Sequence, residues 1–242
     1  MMKNTEWGAV AYLQHSAYGS ATSVRINNNS DFITGYQANN EPTCGNTGTN
    51  EECNQYCNDR SCNTAYPNSV LSSTTNNITG IYDMSGGSFE YVMSASVNID
   101  GKVLSGQNSM YNSGFNGIFG CPTCDNDTSG LTELTTGYDW PDPKYYDMYS
   151  YSDSYLSFYR RILGDATGEM GPFFMVDSSN LPMNSWYSNQ GRFIFETSPI
   201  FYRSLQYNRG SDAGMFSFTY GWGYANTADG FRLVLSPIDV TT

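Results

Sequence analysis

Six cysteines and a single histidine set the limits on covalent, redox and metal chemistry in this chain of 242 residues. Cys44, Cys53, Cys57 and Cys62 crowd one Asn- and Glu-rich stretch, and Cys121-Pro122-Thr123-Cys124 forms a separate CxxC. The even count and loop-like setting predict disulfides in an oxidising compartment. A tetrathiolate zinc site is the alternative, because four thiolates in one short loop could close on the ion. A redox dithiol at Cys121 and Cys124 ranks third, since no strand-to-helix pattern surrounds the pair, and plain reduced thiols rank last. His15, on the first predicted helix, reads as a surface or capping residue rather than a ligand. With one imidazole in the chain, a Ser/His/Asp set would have to commit it, and no GxSxG elbow, Walker loop or dinucleotide-binding glycine loop is present. Carboxylate pairs abound among 23 Asp and Glu, yet nothing singles out a glycosidase dyad.

The residue types that are concentrated point to binding instead. Between Tyr202 and Asn226 the chain presents Tyr202, Tyr207, Asn208, Ser211, Asp212, Tyr220, Trp222, Tyr224 and Asn226. Tyr and Trp offer large, stiff contact area with a polar tip, and Ser, Asn and Gly adapt hydrogen bonds around them. The competing reading makes half of these aromatics core or strand residues, and Phe216 and Phe218 are assigned to the core.

The elements that must position these residues are short. Thr5 to Ser16 is predicted as a helix, with Thr5 as N-cap, Glu6 near its positive end and Gly19 as its left-handed stop. Trp7, Val10 and Ala11 would share its core-facing side. From Val24 to Thr75 the sequence reads as loop, which needs staples because it has no core of its own. A strand is predicted over Ser88 to Met93, and a hairpin over Ser96 to Leu104 turning at Asp100-Gly101. Asp125 to Tyr151 reads as irregular. Asp153 would cap a short helix through Leu163, and three alternating segments follow: Arg192 to Glu196, Met215 to Phe218 and Phe231 to Leu235. The expected class is α+β, with few helices, a small antiparallel sheet and a large loop fraction.

Bulk properties narrow the partners. The charged fraction is 14% and the aromatic fraction 15%, with 20 Tyr, so amides and hydroxyls rather than charges solvate the surface. A net charge of −12 and no Lys/Arg cluster disfavour nucleic acid and anionic membranes. No apolar run of about eighteen residues is present to insert in a bilayer. Met1 to Trp7 has neither the basic nor the apolar region of a secretion signal, so export would need a signal elsewhere or a phage particle.

Three islands, in order, resemble the formylglycine-generating-enzyme (sulfatase-modifying factor) superfamily. Thr5-Glu6-Trp7-Gly8-Ala9-Val10-Ala11 is similar to that family's PTEAEWEYAARG helix. Asn77-Ile78-Thr79-Gly80-Ile81-Tyr82-Asp83-Met84-Ser85-Gly86-Gly87-Ser88-Phe89-Glu90-Tyr91-Val92 is similar to NxxGLYDMxGNVWEWV, and Asp229-Gly230-Phe231-Arg232-Leu233-Val234 to the terminal GFRLV. The islands cover about a third of the chain; residues 30 to 70 and 95 to 190 find no counterpart. The resemblance implies a C-type-lectin-like fold with either oxidation of a cysteine or ligand binding as its outcome. The copper-dependent oxidases carry a cysteine pair shortly before the GFR end; here Arg203 to Asp229 contains none. The related iron-dependent sulfoxide synthases need several histidines, and this chain has His15 alone. An oxidase with relocated cysteines, such as Cys121 and Cys124, is the remaining enzymatic reading.

The resemblance also implies that Tyr202 to Asn226 lies near the ligand face, the region that varies in retroelement-diversified proteins of this fold. It places Asn77, the Gly80 carbonyl and Glu90 where the family could hold calcium, although the family's Asn before the Trp is Ser or Gly here. Against calcium, Glu90 between Phe89 and Tyr91 reads as a buried acid paired with a base or backbone amides, and Arg232 reads as structural too, its guanidinium satisfied by carbonyls or a carboxylate in the closing strand. The expectation is one domain over 1–242, entered at the family's second helix, with a cysteine-rich insertion over 36–70 and a loop-rich insertion with a short helix over 105–190. It would bind a protein or glycan without catalysis, at a cell surface, outside the cell or on a phage virion, carried by a pilin-like anchor or phage particle. A structural filament or tail-decoration subunit is the rival.

Overall fold

The computed structural model describes residues 1–21, 24, 73–77, 79–97, 143–156, 160–167, 175–176, 182–183, 186–196, 198–221 and 228–234. All six cysteines, residues 36–70 and most of 105–190 lie outside the described residues, as do Trp222, Tyr224 and Asn226. The described chain is α+β with one α-helix, α1 (Asn4–Gln14). Its eight short strands are β1 (Phe89–Tyr91), β2 (Ser94–Ser96), β3 (Asp147–Tyr149), β4 (Met175–Val176), β5 (Pro182–Met183), β6 (Ile200–Arg203), β7 (Phe218–Gly221) and β8 (Asp229–Phe231).

Strands β7, β6, β1 and β8 form a sheet in that order; β6 is antiparallel to both neighbours, while β1 and β8 run parallel. The small sheet is therefore mixed, not purely antiparallel. β2 pairs with β3 in parallel and β4 with β5 antiparallel. Trp7 and Ala11 are fully buried on α1 and pack with Met84, Val92, Phe193, Phe201, Phe216 and Phe218. Val10 leans on the same cluster. The indole N–H of Trp7 donates to the Met215 carbonyl at 2.8 Å, so the ring is buried without an orphaned donor. A polar seam runs through this core. Asn4 Nδ2 donates to the Tyr149 hydroxyl (2.7 Å), which donates to Asp165 Oδ2 (2.9 Å), while Arg203 Nη1 reaches the Asp165 carbonyl (3.3 Å). Burial raises the Asp165 carboxyl pKa, against hydrogen bonds from Thr167, Ile162 and Tyr149 that hold it down.

Several expected boundaries move, each for a local reason. The helix is capped from a distance: Thr5 donates its amide to Asp147 Oδ2 at 2.6 Å and its hydroxyl to Oδ1 at 3.1 Å, so Thr5 is inside the helix and not its cap. Lys3 takes the cap position and its amide donates to Glu6 Oε2 at 2.7 Å. Gly19 is not left-handed. It is needed for contact, since a Cβ there would lie 1.9 Å from the Gln14 carbonyl oxygen. Ser96 belongs to β2, paired in parallel, and the Asp100-Gly101 turn lies outside the described residues. No α-helix forms among the described residues of 153–163. Arg160 is drawn inward instead, donating to the Ser150 and Ile194 carbonyls and facing the Phe193 ring at 4.9 Å, while Leu156 and Leu163 stay exposed. Arg192 to Glu196 forms no named strand among the described residues; isolated bridges join the neighbouring Gly191 to Phe218 and Phe195 to Ser198. Strand β7 starts at Phe218 rather than Met215, and β8 stops at Phe231.

Candidate functional site

Strand alternation and register divide the four-stranded sheet into two faces. Cross-strand partners share a face, and the pairs Glu90–Arg203 and Arg203–Phe218 are buried with Phe201 on the inner one. The alternate positions lie on the other face, which is covered at its β6–β7 end, where Ile200 and Thr219 are buried and Gln190 Nε2 donates to the Thr219 hydroxyl at 3.2 Å. Tyr91 stands opposite Tyr202 on one side and Phe231 on the other, and Phe89 stands opposite Asp229. Phe89, Tyr91 and Tyr202 are half-buried, and Phe231, on edge strand β8, is 60% exposed.

The outer aromatics form a connected group. The Tyr91 and Tyr202 rings lie 4.2 Å apart between centroids, and Phe89 sits 5.1 Å from Tyr202. The Tyr202 ring lies over Gly221, where a Cβ would come within 2.2 Å of it; glycine is what lets the ring settle on the sheet. The Arg209 guanidinium stands 5.9 Å from the Phe89 ring. The two hydroxyls of Tyr91 and Tyr202 are 2.5 Å apart, and Tyr202 donates to Asp229 Oδ2 at 3.0 Å. With its proton given to Asp229, the Tyr202 oxygen accepts from Tyr91, so a relay of hydroxyls ends on a carboxylate. Burial, then Tyr91 and Asp229, push the Tyr202 phenol far above its ordinary value; burial also raises Asp229, opposed by the Tyr202 hydrogen bond.

The structure separates residues that sequence composition grouped. Tyr202 lies on the outer face. Tyr220 lies on the inner one, with its ring 4.8 Å from Phe195 and 5.8 Å from Tyr155. Tyr207 is only 6% exposed, so its ring is packed away from solvent, and its amide donates to the Gly87 carbonyl at 2.8 Å. Asn208 is exposed, Asp212 is half-buried with its carbonyl accepting from Gln190, and Ser211 follows the kink at Gly210 (φ 54°) that breaks the 3-10 stretch Tyr207–Asp212 in two. Phe89, Tyr91, Asp229 and Phe231 were missed as candidates. Their signal was present in Phe89-Glu90-Tyr91, where a charged residue facing inward obliges its aromatic neighbours to face out.

Of the candidate calcium oxygens, those of the Asn77 and Glu90 side chains have protein partners. Asn77 Oδ1 accepts from Thr75 Oγ1 and the Thr79 amide, both at 2.9 Å, and from Thr79 Oγ1 at 2.5 Å. Gly80 closes that turn, its amide donating to the Asn77 carbonyl at 3.3 Å. Glu90 faces Arg232, with Oε1 2.6 Å from Nη2 and Oε2 2.5 Å from Nε, and Arg232 also donates to the Asp83 carbonyl at 2.5 Å. Glu90 is raised above its ordinary pKa by burial, which outweighs the lowering by Arg232. Among the described residues no three His, Cys, Asp or Glu side chains gather as a metal site. His15 is half-buried beside Trp186 at 4.5 Å and Phe216 at 5.4 Å, with Nε2 3.0 Å from the Tyr187 hydroxyl, and burial lowers its pKa.

No family model matches the chain, and no curated protein or solved structure matches it either.

Proposed function

We propose that this chain is a binding domain without catalytic activity, displayed outside the cell or on a virion, that holds a protein or glycan against the outer face of its four-stranded sheet. The observation that carries this reading is the row of Phe89, Tyr91, Tyr202 and Phe231 with Asp229 beside it, facing away from the core. Stiff rings with hydroxyl and carboxylate groups at their margin suit a ligand that is apolar on one face and hydroxylated or amidated on its rim. The residues Trp222, Tyr224 and Asn226, outside the described residues, lie between β7 and β8 in sequence and are of the same residue types. Among the described residues no helix is long and apolar enough to cross a membrane.

The scaffold we propose is the C-type-lectin-like fold of the formylglycine-generating-enzyme superfamily. What supports it is the convergence of the three motif islands. Strand β1 of the second pairs with β8 of the third, Glu90 of the second holds Arg232 of the third, and Arg232 stands 5.7 Å from the Trp7 ring of the first. A structural subunit is the second reading. It is favoured by Phe231 and Leu233, exposed by 60% and 75% at and just beyond an edge strand, where a second copy could cover them.

Glycan and protein arrays probed with the purified chain test the primary reading. The double variant Tyr91→Ala/Phe231→Ala should lose at least tenfold in affinity for any ligand found while keeping a cooperative melt. Unchanged binding by that variant sinks the proposed face. A concentration-independent monomer in sedimentation would remove the subunit reading.

A further inference from the structure

We propose that Tyr91 and Tyr202 are an oxidative cross-linking site, at which a peroxidase-type one-electron oxidant, with hydrogen peroxide as terminal acceptor, joins the two rings as dityrosine and staples β1 to β6. The proposal goes beyond ligand binding and does not depend on it. The two residues are directly opposite in the antiparallel register, with ring centroids 4.2 Å apart, planes inclined by 35° and hydroxyls 2.5 Å apart. That separation is close to the one a biaryl bond itself imposes, and a hydroxyl–hydroxyl contact is what the product, a 2,2′-biphenol, retains. Tyr155 and Tyr220 provide an internal comparison at 5.8 Å and 43°.

A phenol gives up an electron readily only when its proton can leave with it. Asp229 Oδ2, 3.0 Å from the Tyr202 hydroxyl, is placed to take that proton, and Tyr91 can pass its own to Tyr202 along the same relay. Each ring loses one electron and its phenolic proton, giving two phenoxyl radicals. Their ortho carbons form one C–C bond, and the hydrogen on each of those carbons moves to the adjacent oxygen to restore two phenols. The net loss is two electrons and two protons, which reduce one hydrogen peroxide to two water molecules. Both rings are half-buried, with part of each reaching the surface, where a one-electron oxidant can meet them. The staple would join positions 111 residues apart and shrink the unfolded ensemble in the way a disulfide does.

The full-length chain is treated with a haem peroxidase and hydrogen peroxide, and the monomer fraction is analysed by intact mass, blue fluorescence and peptide mapping. The expected product is a monomer lighter by two hydrogens, with a linked peptide pair containing Tyr91 and Tyr202, and a raised Tm. Tyr91→Phe and Tyr202→Phe keep the rings and should each abolish that peptide pair; Asp229→Asn should slow its formation severalfold without changing its identity. Linkage only between chains, linkage at other tyrosines with this pair unmodified, or the same intramolecular yield in Tyr91→Phe would each overturn the proposal.

Discussion

Arg232 shows how much one side chain can organise. Its guanidinium closes on Glu90, donates to the Asp83 carbonyl and lies over Trp7, with the two charged side chains only 22% and 11% exposed. Removing one partner strands the other charge, so Glu90→Ala and Arg232→Met should each cost about 2–4 kcal/mol in urea unfolding. Because the two residues act together, the double variant Glu90→Ala/Arg232→Met should cost about 1–3 kcal/mol less than the sum. Strict additivity would show that they do not form a unit. This pairing was half legible in the sequence: an acid between two aromatics and an arginine in a closing strand each called for a partner. That the partner of each was the other depends on the parallel register of β1 and β8, for which no local pattern exists. The outer aromatic face was hidden for the same reason. Tyr202 and Tyr220 look alike in composition, and only the register of β6 against β7 sends them to opposite sides of the sheet.

At the scale of the element, α1 illustrates propensity yielding to packing. Gly8 lies on its buried side, where a Cβ would come 2.0 Å from the Gly164 carbonyl oxygen and within 2.8 Å of the Asp165 backbone. Gly8→Ala should gain about 1 kcal/mol of helix propensity and lose about 2–3 kcal/mol to overpacking against backbone that cannot rotate away. A net loss of stability by about 1–2 kcal/mol, lowering Tm by several degrees, is expected; a higher Tm would show that the 164–165 segment gives way. The helix itself was readable from its apolar spacing, but its cap was not, because Asp147 arrives from 142 residues away. Where a helix was expected from Asp153, the described residues are not α-helical, and Arg160 turns inward. Its position suited a last turn, yet its guanidinium serves two distant carbonyls, a demand that periodicity does not reveal.

Across the whole molecule, charge and burial combine into a pH dependence. Asp147, Asp165 and Asp229, none of whose carboxyls is held by an arginine as that of Glu90 is, have raised pKa values, each chiefly through burial. A carboxyl raised in the folded state contributes stability that is complete below its unfolded pKa and is lost as pH climbs through the folded one. Tm should therefore rise as pH is lowered from 7 to about 5, helped by relief of self-repulsion in a chain of net charge −12. His15, lowered by burial, opposes this over the same window, one group against three. A Tm that falls steadily across that range would contradict the assignment. The core also joins distant parts of the chain: Trp7 to Met215, Thr5 to Asp147, Glu90 to Arg232 and the Met2 amide to the Arg232 carbonyl. Such non-local closure makes for slow assembly. At ribosomal speeds of about 5–20 residues per second, roughly ten seconds or more separate the emergence of Trp7 from that of Met215. Once β1 has emerged, the nascent polypeptide carries an uncovered indole, an unanswered carboxylate and an unfilled place beside β1, and these are closed only when β8 and Arg232 follow Met215 out of the ribosome.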